Sequence, residues 1–163
     1  MTKEEMYRMV HSVYSEASYE IAKDKYPEIE DLSKAIQEEE QYFVEKFLGK
    51  FMSKNANTYY VWEENSEWVS ALRLTKLDGF YFMEALETTP EHRRKGYASE
   101  LIKVLIQKLE EDESVVIRSN VRKSNLASLS THQKCGFIIE EENGTNHISG
   151  EQKDCFYGML YKK

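Results

Sequence analysis

Three consecutive cations precede a glycine in Arg93-Arg-Lys-Gly96, and the small residues Ala98 and Ser99 follow Tyr97. Upstream lies a β-prone run, Phe80–Thr88. Downstream, Leu101, Ile102, Leu105, Ile106 and Leu109 recur at helical spacing. The cations therefore belong at the start of a helix. There the first backbone N–H groups lack intrahelical partners and the helix dipole presents partial positive charge. Such a turn suits a phosphate, and Gly96 lets a ligand come close to the backbone. The segment has no Lys-Ser/Thr ending and is not a P-loop. It also lacks the three-glycine fingerprint of dinucleotide folds.

A second segment, Asn125-Leu-Ala-Ser-Leu-Ser-Thr-His-Gln-Lys-Cys-Gly-Phe137, strengthens the first. On a helix, Asn125, Ser128 and His132 share one face. That polar stripe could wall a polar ligand arm. On the residues alone a plainer reading stays open, in which Asn125 caps the helix and His132 lies at the surface.

Together the two segments resemble the GNAT superfamily of acetyl-CoA-dependent N-acetyltransferases. Arg93-Arg-Lys-Gly96-Tyr-Ala98 is similar to its pyrophosphate loop, Arg/Gln-x-x-Gly-x-Gly/Ala. Asn125 to Phe137 is similar to its Asn-x-x-Ala/Ser…Tyr-x-x-x-Gly-Phe segment, with His132 where Tyr is usual. The specific resemblance runs from Phe80 to Phe137. It implies acetyl-CoA as co-substrate, with no metal, and direct transfer to a primary amine on a small molecule or peptide. Pyrophosphate contacts are expected from Arg93, Arg94, Lys95, Gly96, Tyr97, Ala98 and Ser99. The pantetheine arm is expected along the backbone of Leu86, Glu87 and Thr88, facing Asn125 and Ser128. A peptide or protein acetyltransferase, and a non-catalytic acyl-CoA-binding or sensing module, are the competing readings.

Glu84 is the expected base, because it sits among Met83, Ala85 and Leu86, where desolvation would raise a carboxyl pKa. Glu87 is second. In a regular strand it lies on the opposite face, and a bulge would change that. His132 is the expected acid, with an ordinary pKa near 6.5 where the family's Tyr has one near 10. Cys135 has no third partner and reads as a packed core thiol.

The elements that must hold these residues follow from periodicity. Met6, Met9, Val10, Val13, Ala17 and Ile21 predict one helix ending before Pro27. Leu32, Ile36, Phe43, Phe47 and Phe51 predict a second. Strands are expected over 58–64, 67–75 and 80–88, then a helix over 95–110 and a strand over 114–119. A helix over 124–135 and strands over 137–141 and 154–161 follow, the last two joined by the polar loop 143–153. The order α-α-β-β-β-α-β-α-β-β predicts an α/β (α+β) fold. Its sheet is mixed and mostly antiparallel, with one splayed parallel pair and helices on both faces. The family usually opens with a strand, and here a helix comes first.

Composition sets the bounds. At 163 residues, one domain over 1–163 is expected. Charged residues reach 31% and no apolar run could span a bilayer, so no membrane role is expected. The net charge of −7 disfavours nucleic acid and suits a cationic amine. Two cysteines without metal spacing, and no signal peptide, predict a cytoplasmic chain. A homodimer is expected through the C-terminal strand, which carries Phe156, Tyr157, Leu160 and Tyr161.

Overall fold

The structure is a computed structural model and describes residues 1–111 and 114–163. Helices α1 (Lys3–Val13), α2 (Ser15–Lys25), α3 (Ser33–Tyr42) and α4 (Gly49–Met52) come first. Strands β1 (Asn57–Glu64), β2 (Glu67–Leu77) and β3 (Phe80–Thr88) form the meander. Then come α5 (Tyr97–Glu110), β4 (Val116–Arg122) and α6 (Leu126–Lys134). The chain ends with β5 (Ile138–Glu141), the short ribbon β6 (Gly144–Thr145) and β7 (Gln152–Lys153), and β8 (Phe156–Lys162).

Six strands make one sheet in the order β1-β2-β3-β4-β8-β5. Every neighbouring pair is antiparallel except β3 and β4. Those two are the strands joined through α5, as a crossover connection requires. Their pairing holds only for Tyr81–Ile117, Phe82–Arg118 and Met83–Ser119. Beyond Met83 the strands part and leave backbone on β3 unpaired on that side.

Alternation along β2 explains why both faces are covered. Leu72 and Leu74 point to one face and pack with Met83, Ile117, Leu101, Ile102 and Leu105 under α5 and α6. Ala71 points to the other and packs with Met9, Val10 and Val13 of α1 and with Val44, Leu48, Phe51 and Tyr59.

The N-terminal helices differ from the sequence expectation in phase. The chain leaves helical geometry at Tyr14 (φ −104°, ψ 14°), so one predicted helix becomes α1 and α2. Past the break, Ser18 and Ala22 are buried, while Ala17 and Ile21 are exposed. The second helix also changes phase, through a π-helical stretch at Phe43–Leu48. One wider turn rotates the buried set to Val44, Leu48 and Phe51, leaving Phe47 39% exposed in a stack between Phe43 and Phe51.

Two features concern the edges of the sheet. No strand precedes α1 among the described residues, so β1 forms one edge. At the other end β8 is interior, flanked by β4 and β5. The expected dimer strand therefore has no free edge. The open edge is β5, where Ile138 and Ile139 are exposed.

Candidate active site

The turn between β3 and α5 is shaped by backbone as much as by charge. Pro90–His92 form a short 3-10 turn, Arg94 takes φ 64° and Gly96 takes φ 93°. Gly96 is the N-cap of α5 and offers no side chain to cap it. The N–H groups of Tyr97, Ala98 and Ser99 at the start of the helix are thus left for an outside acceptor. A Cβ at Gly96 would meet nothing within 4 Å, so the space above the turn is open. The Tyr97 ring turns away to lie between Trp62 and His92, at centroid distances of 6.4 and 5.8 Å. Tyr97 therefore anchors the helix start and presents its backbone.

A cleft of about 850 Å³ runs from this turn to the α6 face. It gathers Leu86, Glu87, Thr88, Arg93, Arg94, Gly96, Tyr97, Ala98, Ser99, Asn125 and Ser128, leaving Lys95 as the one expected cofactor contact outside its wall. Lys134 adds a cation that the sequence reading missed. It lies two residues past His132 on α6, and only the folded position of that helix reveals it. The Asn125 side chain accepts from Ser128 N–H at 3.0 Å, so it caps α6 and lines the cleft together.

Where β3 and β4 part, a smaller cavity of about 230 Å³ adjoins the cleft and shares Leu86, Asn125 and Ser128 with it. Glu84 and His132 line this second space. His132 is 2% exposed, not a surface residue. Its Nδ1 lies 2.8 Å from the Ser128 carbonyl oxygen and must donate there. Its Nε2, 3.2 Å from Ser119 Oγ, is left to accept. Burial lowers its pKa, partly offset by the bond to Ser128, so the imidazole is neutral near pH 7. That state has no proton at Nε2 to give a thiolate, which weighs against the expected acid role.

This neutrality has a measurable consequence. The unfolded chain binds a proton near pH 6.5 that the folded chain resists. His132 therefore stabilises the fold fully above that pH, and the contribution is lost as pH falls through the folded pKa. Between pH 7 and 5 the wild type should lose stability more steeply than His132→Gln. The difference should approach, at most, about 1.4 kcal/mol per pH unit. Urea melts across that range check this, and parallel curves would contradict it. His147, whose pKa burial also lowers, is present in both proteins and cancels.

The two carboxylates of β3 are placed differently. Ala71 pairs with Glu87 and Arg73 with Glu84, so Leu72 opposes both Ala85 and Leu86. This is a β-bulge, with Ala85 at φ 51°. The extra residue puts Glu84 and Glu87 on the same face, the one that also carries α1 and α2. Glu84 pairs with Arg73 at 3.2 Å, and both side chains are largely buried. The Arg73 guanidinium in turn lies over the Phe47 and Phe51 rings. Glu87 instead opens into the large cleft, and burial raises its pKa despite Arg93 nearby at 3.9 Å.

Arg93 spans the cleft mouth. Its Nε donates to the Thr88 carbonyl at 3.1 Å, and its Nη2 donates to Glu16 of α2. Glu16 was not legible as a site residue, since 77 positions separate it from Arg93. With Glu20 and Glu87 it lines a further cavity of about 360 Å³ beside Val13, Tyr14 and Ala17. Cys135 is buried, donates to the Ser99 carbonyl at 3.5 Å and has its pKa raised by burial, as a packed thiol should.

A family model described as "Acetyltransferase (GNAT) family" matches residues 15–137. The chain belongs to the GNAT family. It is an acyltransferase, with the fold expected of that family. Solved structures agree at the level of fold. PaiA N-acetyltransferase from Thermoplasma acidophilum, in complex with coenzyme A, superposes with a TM-score of 0.66 at 16% identity, over 100% of this chain and 96% of that one. The ribosomal-protein-S18-alanine N-acetyltransferase from Escherichia coli gives 0.57 at 18% identity, over 70% and 75%. A point mutant of the spermidine N-acetyltransferase SpeG from Vibrio cholerae gives 0.57 at 20% identity, over 78% and 75%. No curated protein sequence matches this GNAT chain. Among the described residues there is no helix long and apolar enough to cross a membrane, and no group of three or more His, Cys, Asp or Glu that could hold a metal ion.

Proposed function

We propose that this chain transfers the acetyl group of acetyl-CoA directly to a primary amine of a small cationic molecule or peptide. The observation that carries the reading is the cleft joining the uncapped start of α5 to the unpaired edge of β3 and the polar face of α6. The pyrophosphate would sit on the N–H groups of Tyr97, Ala98 and Ser99, with Arg94 and Lys134 supplying charge. The pantetheine arm would add to β3 as a short extra strand at Leu86–Thr88. Its amide groups would meet Asn125 and Ser128.

The acceptor would enter from the α2 side, where Glu16, Glu20 and Glu87 would favour a protonated amine. Glu87 is the base in this proposal. Its raised pKa brings it closer to neutral pH, and it opens to the cleft that holds the thioester. Glu84 is the second reading, because it lines the adjoining gap. The carboxylate takes a proton from the ammonium and the neutral amine attacks the thioester carbonyl carbon. Backbone N–H groups at the bulge hold the oxyanion. The C–S bond then breaks, the attacking nitrogen gives its second proton to water to become a neutral amide, and the thiolate takes its proton from water. His132 acts as a neutral imidazole that fixes Ser119 at the mouth of the gap. The buried, raised Cys135 thiol supports direct attack over an acyl-thiol intermediate.

Coenzyme A release from acetyl-CoA, followed with a thiol-reactive dye across a panel of mono- and polyamines and lysine peptides, tests the reading. Amine-dependent release supports it. Binding of coenzyme A with no release under any amine would leave the acyl-CoA-binding module.

A further inference from the structure

The helix break at Tyr14 and the bulge at Ala85 are far apart in sequence and in contact in space. Tyr14 Oη donates to the Ala85 carbonyl oxygen at 2.6 Å across 71 positions. Tyr14 ends α1 in non-helical geometry, and its ring is buried edge-on against Tyr59 at a centroid distance of 6.4 Å. Ala85 holds φ 51°, a left-handed conformation that a residue with a Cβ adopts at a cost. Ala85 itself is exposed, and its carbonyl, at the point where the β2–β3 register shifts, takes the hydroxyl of the buried Tyr14 in a part-buried bond.

We propose that Tyr14 is a positioning residue for acetyl transfer, whose hydroxyl holds the Ala85 bulge and so aims the Leu86 and Glu87 backbone and the Glu87 carboxylate into the cleft. The inference rests on the acetyltransferase reading above. Without the bulge, regular alternation would turn Glu87 to the opposite face from Glu84, away from α2. The N–H groups of Leu86 and Glu87 would rotate with it. The hydroxyl suits the task because burial raises its pKa well above 10 and keeps it a donor at any working pH. Tyr14 also lines the small cavity shared by Glu16 and Glu87, so the same side chain links the acceptor side to β3. No catalytic contact is assigned to it.

The test compares wild type, Tyr14→Phe, Ala85→Gly and the double variant in kcat, KM for amine and acetyl-CoA, and coenzyme A affinity. Tyr14→Phe keeps the ring and removes only the hydroxyl. It should lower kcat about tenfold, the cost of one lost hydrogen bond of about 1.4 kcal/mol. Coenzyme A affinity should barely change, because the grip at Tyr97–Ser99 is untouched. Glycine adopts positive φ without strain, so Ala85→Gly in the Tyr14→Phe background should recover much of the lost kcat. If Tyr14→Phe does not fold, the double variant should fold, since the defect lies in the bulge. An unchanged kcat in Tyr14→Phe overturns the proposal. So does a loss that Ala85→Gly fails to rescue, or a double variant that also fails to fold. A wild type that releases no coenzyme A with any amine would instead contradict the acetyltransferase reading itself, which separates the two failures.

Discussion

Replacing Glu87 by glutamine should lower kcat by about 10²–10⁴-fold, the usual loss when a general base is removed. Coenzyme A affinity should be nearly unchanged, because the contacts proposed there are made by the β3 backbone. The pH profile gives a second reading of the same group. Burial raises the Glu87 pKa, so the acid limb of kcat/KM should bend above the ordinary glutamate value of about 4.3. Below that inflection the carboxyl is protonated and cannot accept the ammonium proton, so the rate falls with pH. In Glu87→Gln that limb should disappear. Glu84→Gln should behave differently, since Glu84 is the ion-pair partner of Arg73 at 3.2 Å. Its loss leaves a largely buried guanidinium short of charge and should lower thermal stability more than kcat. If Glu84→Gln instead carries the rate loss and Glu87→Gln does not, the base is Glu84.

Gly96→Glu should abolish coenzyme A binding. A ligand held by the folded state alone stabilises it by about 2.7 kcal/mol at a hundredfold excess over its Kd. For a chain of this size that is a rise in Tm of roughly 5–10 °C. The glutamate would put a carboxylate into the open space above the turn, against the α5 N–H groups that a phosphate needs. The φ of 93° at Gly96 strains any side chain, so the loss must be separated from strain. Gly96→Asn is the control, because asparagine tolerates left-handed geometry and brings no charge. It should keep most of the shift. Equal loss in both variants would attribute the effect to backbone strain.

These two residues also mark how far the sequence could be read. Gly96 was legible because everything that makes it special is local: a strand, three cations, a glycine and a helix, all contiguous in the chain. The α6 segment was legible for the same reason, since Asn125, Ser128 and His132 repeat at helical spacing. The bulge was not. A one-residue register shift between β2 and β3 leaves no mark in the alternation of Phe80–Thr88, yet it decides which face Glu87 occupies. The contacts of Tyr14 with Ala85 and of Glu16 with Arg93 cross 71 and 77 positions, beyond any periodic signal. The phase changes at Tyr14 and at Phe43–Leu48 show the same limit. Helical periodicity predicts that helices exist there, while tertiary packing sets where they break. His132 was found by its motif position, but its neutrality depends on burial and on the Ser128 carbonyl, which the fold alone supplies.

Direct movement of the acetyl group from coenzyme A to an amine, in the cleft between β3, α5 and α6, is the step on which all of this chemistry turns. Acetyl-CoA labelled in the acetyl carbon, mixed with stoichiometric protein and an amine active in thiol release, tests it in a single turnover followed by mass spectrometry. Direct transfer predicts label on the amine nitrogen, one coenzyme A thiol released per acetyl transferred, and no labelled protein at any time point. Label held on Cys135 or Cys155 before it reaches the amine, or acetyl-CoA bound and returned intact, would contradict it.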